Sequence, residues 1–319
     1  MATLEEPKPF APLRSMPSRV VDTRLLANPV ELNLSANSLP NMDFLSKSDP
    51  FAVVYARPSS GASGWAKLGI TETIWDDLNP KWCTSFILPK EFDGARGAPP
   101  PDTPEYNALI FQTALRIEVY DWDKDTDNLA SQDFIGSAEC VYQDLFDASG
   151  HSVTLELKDP KKRGKSRGTL TLTLDVITKP DPPVQIGIEV TVTEPAVSNK
   201  KSAVIVSRML RKNVWTPVYR SESIKERAPK FKAFELPLEA LSAGEEERSF
   251  RVEVYKVKRN NGMEHVGFFL ANVAALRSAT PGTKLQYWSP NSGLQLGGAT
   301  VTEVYVTPTY CSWRVTISG

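Results

Sequence analysis

Short segments of this 319-residue chain occur twice, and they occur in the same order both times. The segment Ala114-Leu-Arg-Ile-Glu-Val-Tyr120 returns as Ser249-Phe-Arg-Val-Glu-Val-Tyr255, and Asn79-Pro-Lys-Trp82 returns as Ala228-Pro-Lys-Phe231. A repeated order of this kind indicates a duplicated structural unit. Because a chain of this length usually forms about two domains, the sequence predicts two domains that share one fold.

Apolar and polar residues alternate along both copies, for example in Val30–Leu34, Leu115–Val119 and Phe250–Val254. A period of two is typical of β-strands with one buried face, and these runs are bounded by turn-forming residues. The fold class that follows is all-β, with two tandem antiparallel β-sandwiches. We assign a flexible, Pro-containing N-terminal arm to 1–27, a first domain to 28–178, a second domain to 184–310 and a C-terminal junction segment to 311–319.

Charge is divided unevenly between the two copies. Residues 1–179 contain 25 acidic and 19 basic side chains, whereas residues 180–319 contain 13 acidic and 18 basic ones. After residue 180 the sequence contains a single aspartate, Asp181. Opposite net charges on two copies of one fold predict different electrostatic roles for them.

The cysteines and the ends of the chain indicate a compartment. Cys83, Cys140 and Cys311 are odd in number and form no C-x-x-C pair, which favours free thiols in a reducing cytoplasm. The first 26 residues have no apolar core of a secretory signal, and no run approaches the 18 apolar residues of a membrane span. We therefore expect a cytoplasmic protein.

Carboxylates are concentrated in two turns of the first copy. Asp43 and Asp49 flank the turn after the first strand, and a second set follows the strand that ends at Tyr120. Loops at one end of a sandwich converge, and each pair of like charges about 4 Å apart costs roughly 4 kcal/mol at an effective dielectric constant of about 20. Such a cluster needs a cation, and oxygen ligands without His or Cys favour Ca²⁺. The second set consists of Asp121, Asp123, Asp125, Asp127 and Asp133.

Two other interpretations of these turns are weighed against a metal site. Asp-rich turns are often simply solvated, although two such turns in one repeat make this less convincing. An EF-hand loop starting at Asp121 would need Gly at its sixth position and Glu at its twelfth, where this sequence has Thr126 and Gln132.

The pattern Asp43 … Ser48-Asp-Pro50 … Asn79-Pro80 … Val119-Tyr-Asp-Trp-Asp123 … Asp133-Phe-Ile-Gly136 resembles the C2 domain, a calcium-dependent membrane-binding β-sandwich. The tandem arrangement and the long loop after Asp121 are similar to copines. In copines a von Willebrand factor A-type domain follows the C2 pair, and this sequence contains the pair without that domain.

The resemblance implies eight strands in each sandwich and the permuted type II topology. It also implies a Ca²⁺ site, with Asp127 or Asp125 as a further ligand in an uncertain register. The implied carboxylate ligands are Asp43, Asp49, Asp121, Asp123 and Asp133, and the implied backbone ligands are the carbonyls of Met42 and Trp122.

Apolar side chains lie beside the implied ligands and predict membrane insertion. Bound Ca²⁺ would neutralise the carboxylates, so that anionic phospholipid is attracted and apolar loop tips enter the interface. Folding of Phe44 or Leu45 back onto the sandwich is the alternative. The predicted insertion residues are Met42, Phe44, Leu45, Trp122 and Leu129, and we expect recruitment to the plasma membrane when calcium rises.

Basic residues offer a second contact with an anionic surface. Lys161, Lys162 and Arg163 lie in a basic turn before the last strand of the first copy, where a solvated turn is the alternative. Nucleic acid is not expected as a partner, because no aromatic residues are interleaved with this run.

The second copy has lost most of the acidic residues. Aligned through the repeats, Asp49 becomes Ala203 and Asp43 becomes Val197, while Glu264 retains the last acid. Two lysines, Lys256 and Lys258, replace Asp121 and Asp123 and predict a calcium-independent domain. With Lys225, Arg227, Lys230 and Lys232 it is predicted to bind acidic lipids or acidic proteins, the alternative being a scaffold docked beside the first domain.

An enzyme is not expected, because neither His151 nor His265 belongs to a nucleophile motif. The leading function is calcium-dependent phospholipid binding by a monomer. The alternative is a calcium-independent adaptor in which both sandwiches bind proteins.

Overall fold

The computed structural model describes residues 28–44, 46–57, 64–88, 103, 110–162, 164–193, 201–211, 213–258, 262–290 and 294–318. The predicted N-terminal arm at 1–27 lies outside them, as do Leu45, Arg163 and Val197. Within these ranges no helix combines the length and the apolar character that crossing a bilayer requires.

The first domain consists of two four-stranded sheets with orders β4-β1-β8-β7 and β3-β2-β5-β6. Its helix α1 (Tyr142–Asp147) joins β6 to β7. The first strand pairs antiparallel with the last over its whole length, from Val30 opposite Val176 to Asn37 opposite Thr169. The strands are β1 (Val30–Asn37), β2 (Pro50–Arg57), β3 (Ala66–Ile70), β4 (Phe86–Ile87), β5 (Ala114–Asp121), β6 (Asp133–Val141), β7 (Ser152–Glu156) and β8 (Thr169–Val176).

Alternation explains the core of this domain. Leu32 and Leu34 of β1, with Leu172 of the neighbouring strand β8, pack against Ile117 and Val119 of β5 in one buried cluster. Residues between them point outward, as a pleated strand requires. The predicted eight-stranded sandwich is confirmed here.

The second domain has nine strands in one continuous sheet, ordered β11-β10-β13-β14-β15-β16-β17-β9-β12. Its short helices are α2 (Leu238–Ser242) and α3 (Val273–Arg277). The strands are β9 (Gln185–Val192), β10 (Ser202–Arg211), β11 (Val214–Arg220), β12 (Phe234–Pro237), β13 (Phe250–Val257), β14 (Met263–Ala271), β15 (Lys284–Trp288), β16 (Gln295–Val306) and β17 (Tyr310–Ser318).

Two sequence-based expectations need correction in this domain. Residues 311–318 are no junction segment, because β17 lies between β16 and β9 and pairs with both. The pairing of β17 with β9 is parallel, and it raises the strand number to nine in place of the expected eight. Cys311, Trp313, Val315 and Ile317 are buried in the second core, so β17 belongs to the fold of the domain.

The two domains contact each other through buried charges. Arg208 of β10 is 1% exposed and pairs with Glu31 of β1 and, at 3.3 Å, with Asp175 of β8. Arg248 binds the same Asp175 carboxylate at 2.6 Å. At the same interface the Arg211 guanidinium donates to the carbonyl oxygens of residues 149 and 150 at 3.2 and 3.1 Å. These contacts join β1, β8 and residues 149–150 of the first domain to β10 and Arg248 of the second.

Candidate metal centre

Asp121 stands at the centre of the predicted site. It ends β5, where it lies opposite Pro50 of β2 and Asp133 of β6. Its side chain is buried, and its Oδ1 accepts the Asp49 backbone N–H at 2.5 Å. Its Oδ2 is buried and has no hydrogen-bond partner. A buried carboxylate oxygen without a partner is costly, and a cation would satisfy it.

Asp49 ties the first loop, between β1 and β2, to the second loop, between β3 and β4, and to the third loop, between β5 and β6. Its carbonyl accepts the Trp122 N–H at 3.1 Å, and its Oδ1 accepts the Asp76 N–H at 2.6 Å. Desolvation by burial raises the pKa of Asp49, and the charges of Asp76 and Asp43 raise it further. Burial likewise raises the pKa of Asp121, with a contribution from Asp43 and Asp49. Asp43, Asp49 and Asp121, three of the predicted ligands, are therefore close enough to repel one another.

Asp123 and Asp133 are joined across the third loop. The Asp133 N–H donates to Asp123 Oδ2 at 2.9 Å. The loop itself is held by Gln132, whose Oε1 accepts the Asp123 N–H at 2.8 Å and whose Nε2 donates to the Lys124 carbonyl at 2.7 Å. Asp125 and Asp127 are exposed in the same turn and are absent from this network. Which of the two serves as a ligand stays a prediction.

The first loop is shaped by its own polar side chains. Ser48 is fully buried, and its hydroxyl accepts the Met42 N–H at 2.8 Å. Asn41 binds the Asp43 and Ser46 carbonyls at 3.0 and 2.8 Å, and the Ser46 hydroxyl donates to the Asp43 carboxylate at 2.9 Å. The loop thus turns tightly and places Asp43 beside Asp49.

Asp76 is a site residue that the sequence patterns did not predict. Its side chain is buried, its backbone has a positive φ of 56°, and its carboxylate accepts the Lys47 N–H at 3.1 Å. It adds a carboxylate from the loop between β3 and β4 to those of the other two loops. The available signal was the pair Asp76-Asp77, which lies just before the repeated segment Asn79-Pro-Lys-Trp82. We call Asp43, Asp49, Asp76, Asp121, Asp123 and Asp133 the first cup.

The first cup fits a cation in its donor chemistry. Among the described residues, no group of three His, Cys, Asp or Glu side chains already has the geometry of a metal site. The fit therefore concerns the type of donor atoms and not their present positions. Several of the carboxylate oxygens accept backbone N–H groups from within the loops. The unpartnered Asp121 oxygen, the exclusively oxygen donor set and the raised pKa values together suit a hard cation such as Ca²⁺.

The predicted insertion residues are placed differently from one another. Phe44 is 98% exposed at the tip of the first loop. Met42 packs half-buried against the core, and its sulfur accepts from Arg167 at 3.3 Å. Trp122 and Leu129 pack against the outer face of the sheet, and Trp122 makes an edge contact with Trp75. Trp75, which the sequence analysis overlooked, is 48% exposed. Among the described residues of this loop, Phe44 therefore forms the exposed apolar tip, and Trp75 lies beside the cup.

The basic turn of the first domain lies at the same end as the first cup. It precedes Thr169, which is opposite Asn37 at the start of the first loop. Lys161 and Lys162 are exposed there. Arg167, in contrast, is buried and donates to the Ile135 carbonyl at 2.6 Å, so it supports the loops from inside.

Strand register corrects the comparison between the two copies. Ser202 lies opposite Lys256 as Pro50 lies opposite Asp121. The Val257 N–H donates to the Lys201 carbonyl at 2.8 Å, as Trp122 donates to Asp49 at 3.1 Å. The equivalent of Asp49 is therefore Lys201, not Ala203. The ladder places Lys256 opposite Glu264 as Asp121 is opposite Asp133.

Equivalent backbone hydrogen bonds also align the second loops of the two domains. The Ile74 N–H donates to the Pro50 carbonyl at 3.0 Å, and the Ile224 N–H donates to the Ser202 carbonyl at 2.9 Å. Lys225 and Glu226 therefore occupy the positions that Trp75 and Asp76 occupy in the first copy. We call Lys201, Lys225, Glu226, Lys256, Lys258 and Glu264 the second cup.

The other predicted basic residues of the second domain follow Lys225 along the same connection. Arg227, Lys230 and Lys232 are exposed. The Lys230 ammonium lies 3.1 Å from Glu189 of β9, so part of its charge is neutralised locally.

Comparison with known proteins identifies this architecture. Residues 32–157 match the family model of the C2 domain. The chain is 27% identical over 252 residues to Copine-A of Dictyostelium discoideum, an alignment that covers 77% of this chain and 38% of that protein. The chain is a copine-like C2 protein. It is also 29% identical over 143 residues to nicotinic receptor-associated protein 1 of Caenorhabditis elegans, covering 40% of this chain and 20% of that protein.

Solved structures are also similar to parts of this chain, at low sequence identity and low TM-score. The C2A domain of plant extended synaptotagmin 1 is 19% identical, with a TM-score of 0.31, and covers 48% of this chain and 97% of its own. The calcium-bound C2A and C2B pair of extended synaptotagmin 2 is 15% identical, with a TM-score of 0.30, and covers 86% and 94%. C2 domains as a family bind Ca²⁺ and phospholipid membranes.

Proposed function

We propose that the first C2 domain of this copine-like protein binds anionic phospholipid membranes in response to Ca²⁺. The observation that carries the proposal is the buried, unpartnered Oδ2 of Asp121, surrounded by Asp43 and Asp49. The carbonyls of Met42 and Trp122 are the proposed backbone ligands. Bound Ca²⁺ would supply positive charge and open positions for lipid phosphate.

The residues around the first cup then determine whether the domain binds the membrane. Without the cation, the first cup repels an anionic bilayer. With the charge neutralised, Phe44 can enter the interface while Lys161 and Lys162, at the same end, contact anionic headgroups. Such binding is reversible, because a few buried apolar groups contribute only about 0.8 kcal/mol per CH₂.

The second domain is proposed to act without calcium, since lysines stand where the first cup has aspartates. We further propose that the protein is a cytoplasmic monomer without catalytic activity that is recruited to the plasma membrane. Both histidines have structural partners, which supports a non-catalytic role: His151 Nδ1 lies 3.0 Å from the Phe146 carbonyl, and His265 stacks on Tyr255.

Vesicle co-sedimentation tests the proposal. Asp121→Asn/Asp123→Asn should lose calcium-dependent binding to phosphatidylserine vesicles. The matched control Asp147→Asn/Glu247→Gln removes the same charge at exposed positions outside both cups and should bind as the wild type does. Binding that ignores both Ca²⁺ and the Asp121/Asp123 substitutions would instead support a calcium-independent adaptor.

A further inference from the structure

Ser166 lies in the basic turn that joins β7 to β8 of the first domain. Its side chain is exposed, as are those of Lys161, Lys162 and Lys165, which precede it in the sequence. Arg167, which follows it, is buried. The accessible face of the turn therefore presents a serine hydroxyl after a run of lysines.

The hydrogen bonds next to this hydroxyl are long. Its oxygen accepts the Gly168 N–H at 3.4 Å, and the Lys165 N–H donates to the Lys162 carbonyl at 3.4 Å. The usual N–H···O distance is about 2.7–3.2 Å, so both bonds are weak. This part of the turn can therefore adapt to the groove of another protein at low cost.

Ser166 also lines a depression of about 630 Å³ in the surface of the domain. Among its lining residues are three exposed lysines and two acidic residues, namely Lys158, Lys162, Lys165, Glu156 and Asp159. The Asp159 carboxylate already accepts the Lys161 N–H at 2.9 Å. A phosphate group on Ser166 would lie among the three ammonium groups, which form charge-assisted hydrogen bonds with such oxygens.

We propose that Ser166 is a phosphorylation site, and that its phosphate neutralises the basic turn and so weakens the membrane contact of the first domain. The enzyme is a protein kinase with an acidic substrate groove, since complementary charge selects such a partner for the lysines before Ser166. The transfer forms a bond from Ser166 Oγ to the γ-phosphorus of ATP and breaks the bond from that phosphorus to the β,γ-bridging oxygen. ADP and the hydroxyl proton are released.

The effect on the membrane rests on the proposed function of the first domain, in which Lys161 and Lys162 contact anionic headgroups. A phosphoserine adds about −1.5 to −2 charges at pH 7, and phosphorylation of basic segments beside a bilayer releases them from it. The basic turn lies at the same end of the domain as the first cup. Phosphate on Ser166 therefore opposes Ca²⁺, which adds positive charge at that end.

Phosphorylation in vitro tests the site. The full chain is incubated with ATP and, separately, with the catalytic subunits of cyclic-AMP-dependent protein kinase and of protein kinase C, which select serines near basic residues. Peptide mass spectrometry should place the phosphate on Ser166, and Ser166→Ala should lose it. Ser223→Ala is the matched control and should keep it, because Ser223 is exposed and follows Arg220 by three residues but has Glu222 immediately before it. An unmodified Ser166 with both kinases would overturn the proposal.

Phosphoserine incorporated at position 166 during translation tests the consequence without a kinase. At saturating Ca²⁺, this protein should bind phosphatidylserine vesicles roughly 10- to 30-fold more weakly than the unmodified chain, because the phosphate cancels up to two charges that each strengthen binding several-fold. Treatment of the same sample with alkaline phosphatase should restore binding, which separates a charge effect from misfolding.

The matched control carries phosphoserine at position 149. Ser149 is exposed and precedes β7, whereas Ser166 follows that strand, so the two lie at opposite ends of the domain. Binding should stay within about threefold of the unmodified chain, because charges more than a Debye length from the surface are screened. Equal weakening at both positions, or no weakening at position 166, would overturn the proposal.

Phosphorus NMR measures the pairing with the lysines. The second pKa of phosphoserine is about 6, and at position 166 it should be lower in the folded protein than in the urea-unfolded chain. Lys158→Gln/Lys162→Gln should remove that difference, whereas an equal pKa in both states of the unsubstituted chain would overturn the pairing. If the unmodified chain fails to bind vesicles in Ca²⁺, the membrane effect fails together with the proposed function, while phosphate mapped to Ser166 still supports the modification site.

Discussion

The two cups of this protein share a backbone and differ in charge. In both, the residue before the second strand of the domain accepts a backbone hydrogen bond from the third loop, at 3.1 Å in the first domain and 2.8 Å in the second. That residue is Asp49 in one and Lys201 in the other, and the neighbouring Asp121 corresponds to Lys256. The fold is therefore maintained by strand pairing, while the loop charges are free to reverse. A duplicated domain can in this way keep one geometry and acquire a second electrostatic function.

Charge conversion of the first cup should have the largest effect. Asp121→Lys reproduces the second cup at this position and places a positive charge where the cation would bind. One such repulsion at about 4 Å is worth roughly 4 kcal/mol, so calcium affinity should fall by about 1,000-fold or more. Isothermal titration with CaCl₂ measures this.

The reciprocal substitution Lys256→Asp provides the control for that experiment. It should leave calcium binding by the first cup intact and should create no second site, because Lys201 and Lys258 remain. A calcium response that survives Asp121→Lys would contradict the assignment of the first cup.

Loss of the buried charge contact between the two domains should have the next largest effect. Arg208 is buried between the domains with Glu31 and Asp175. Removing one partner of a buried ion pair typically costs about 3–5 kcal/mol, so Arg208→Ala should lower the free energy of unfolding in urea by that amount. The exposed pair of Arg116 and Glu139, at 2.7 Å, gives the comparison: Arg116→Ala should cost about 1 kcal/mol or less. Equal costs for the two variants would show that the interface is not formed in solution.

Sequence patterns could predict the first cup because its aspartates flank recognisable strands. Asp121 and Asp133 border the long third loop, and alternation fixes where β5 ends. Asp76 was missed because its role depends on a left-handed backbone, with φ of 56°, that turns its N–H toward Asp49. Lys201 was missed because repeat matching slipped by two residues, and only the ladder register fixed the alignment.

The end of the chain illustrates a different limit. Cys311, Trp313, Val315 and Ile317 alternate with polar residues, which is the period of a strand. Assigning them to a junction overlooked that signal. The position of β17 between β16 and β9, with β9 as a parallel neighbour, depends on long-range pairing that no local pattern encodes.

Acidification should distinguish the two cups by a smaller effect. Burial and neighbouring carboxylates raise the pKa values of Asp49 and Asp121. Protons therefore compete with Ca²⁺ at a higher pH than for ordinary aspartates, and calcium affinity should fall by up to about tenfold per pH unit for each proton displaced. Without calcium, in EGTA, the free energy of unfolding depends on pH with the opposite sign. The two carboxyl groups stabilise the fold below their unfolded-state pKa, and that stability is lost as pH rises through their raised folded-state pKa values.

Co-sedimentation at a series of pH values below 7, with and without Ca²⁺, measures this difference. The calcium-free component depends on lysines and not on these carboxylates, so it should change little over the same series. Parallel decreases in both components would indicate that one set of carboxylates controls them both.

The smallest effect concerns the apolar tip of the first cup. Phe44 is 98% exposed, and full burial of a Phe side chain contributes about 1.5–3 kcal/mol. Phe44→Ala should therefore weaken calcium-dependent vesicle binding by about tenfold and leave calcium affinity in solution unchanged. Ile87→Ala is the matched control, because Ile87 is 57% exposed and lies opposite Glu31 at the other end of the same domain. If Ile87→Ala weakens vesicle binding as much as Phe44→Ala does, general surface hydrophobicity and not insertion of the first loop accounts for the membrane contact.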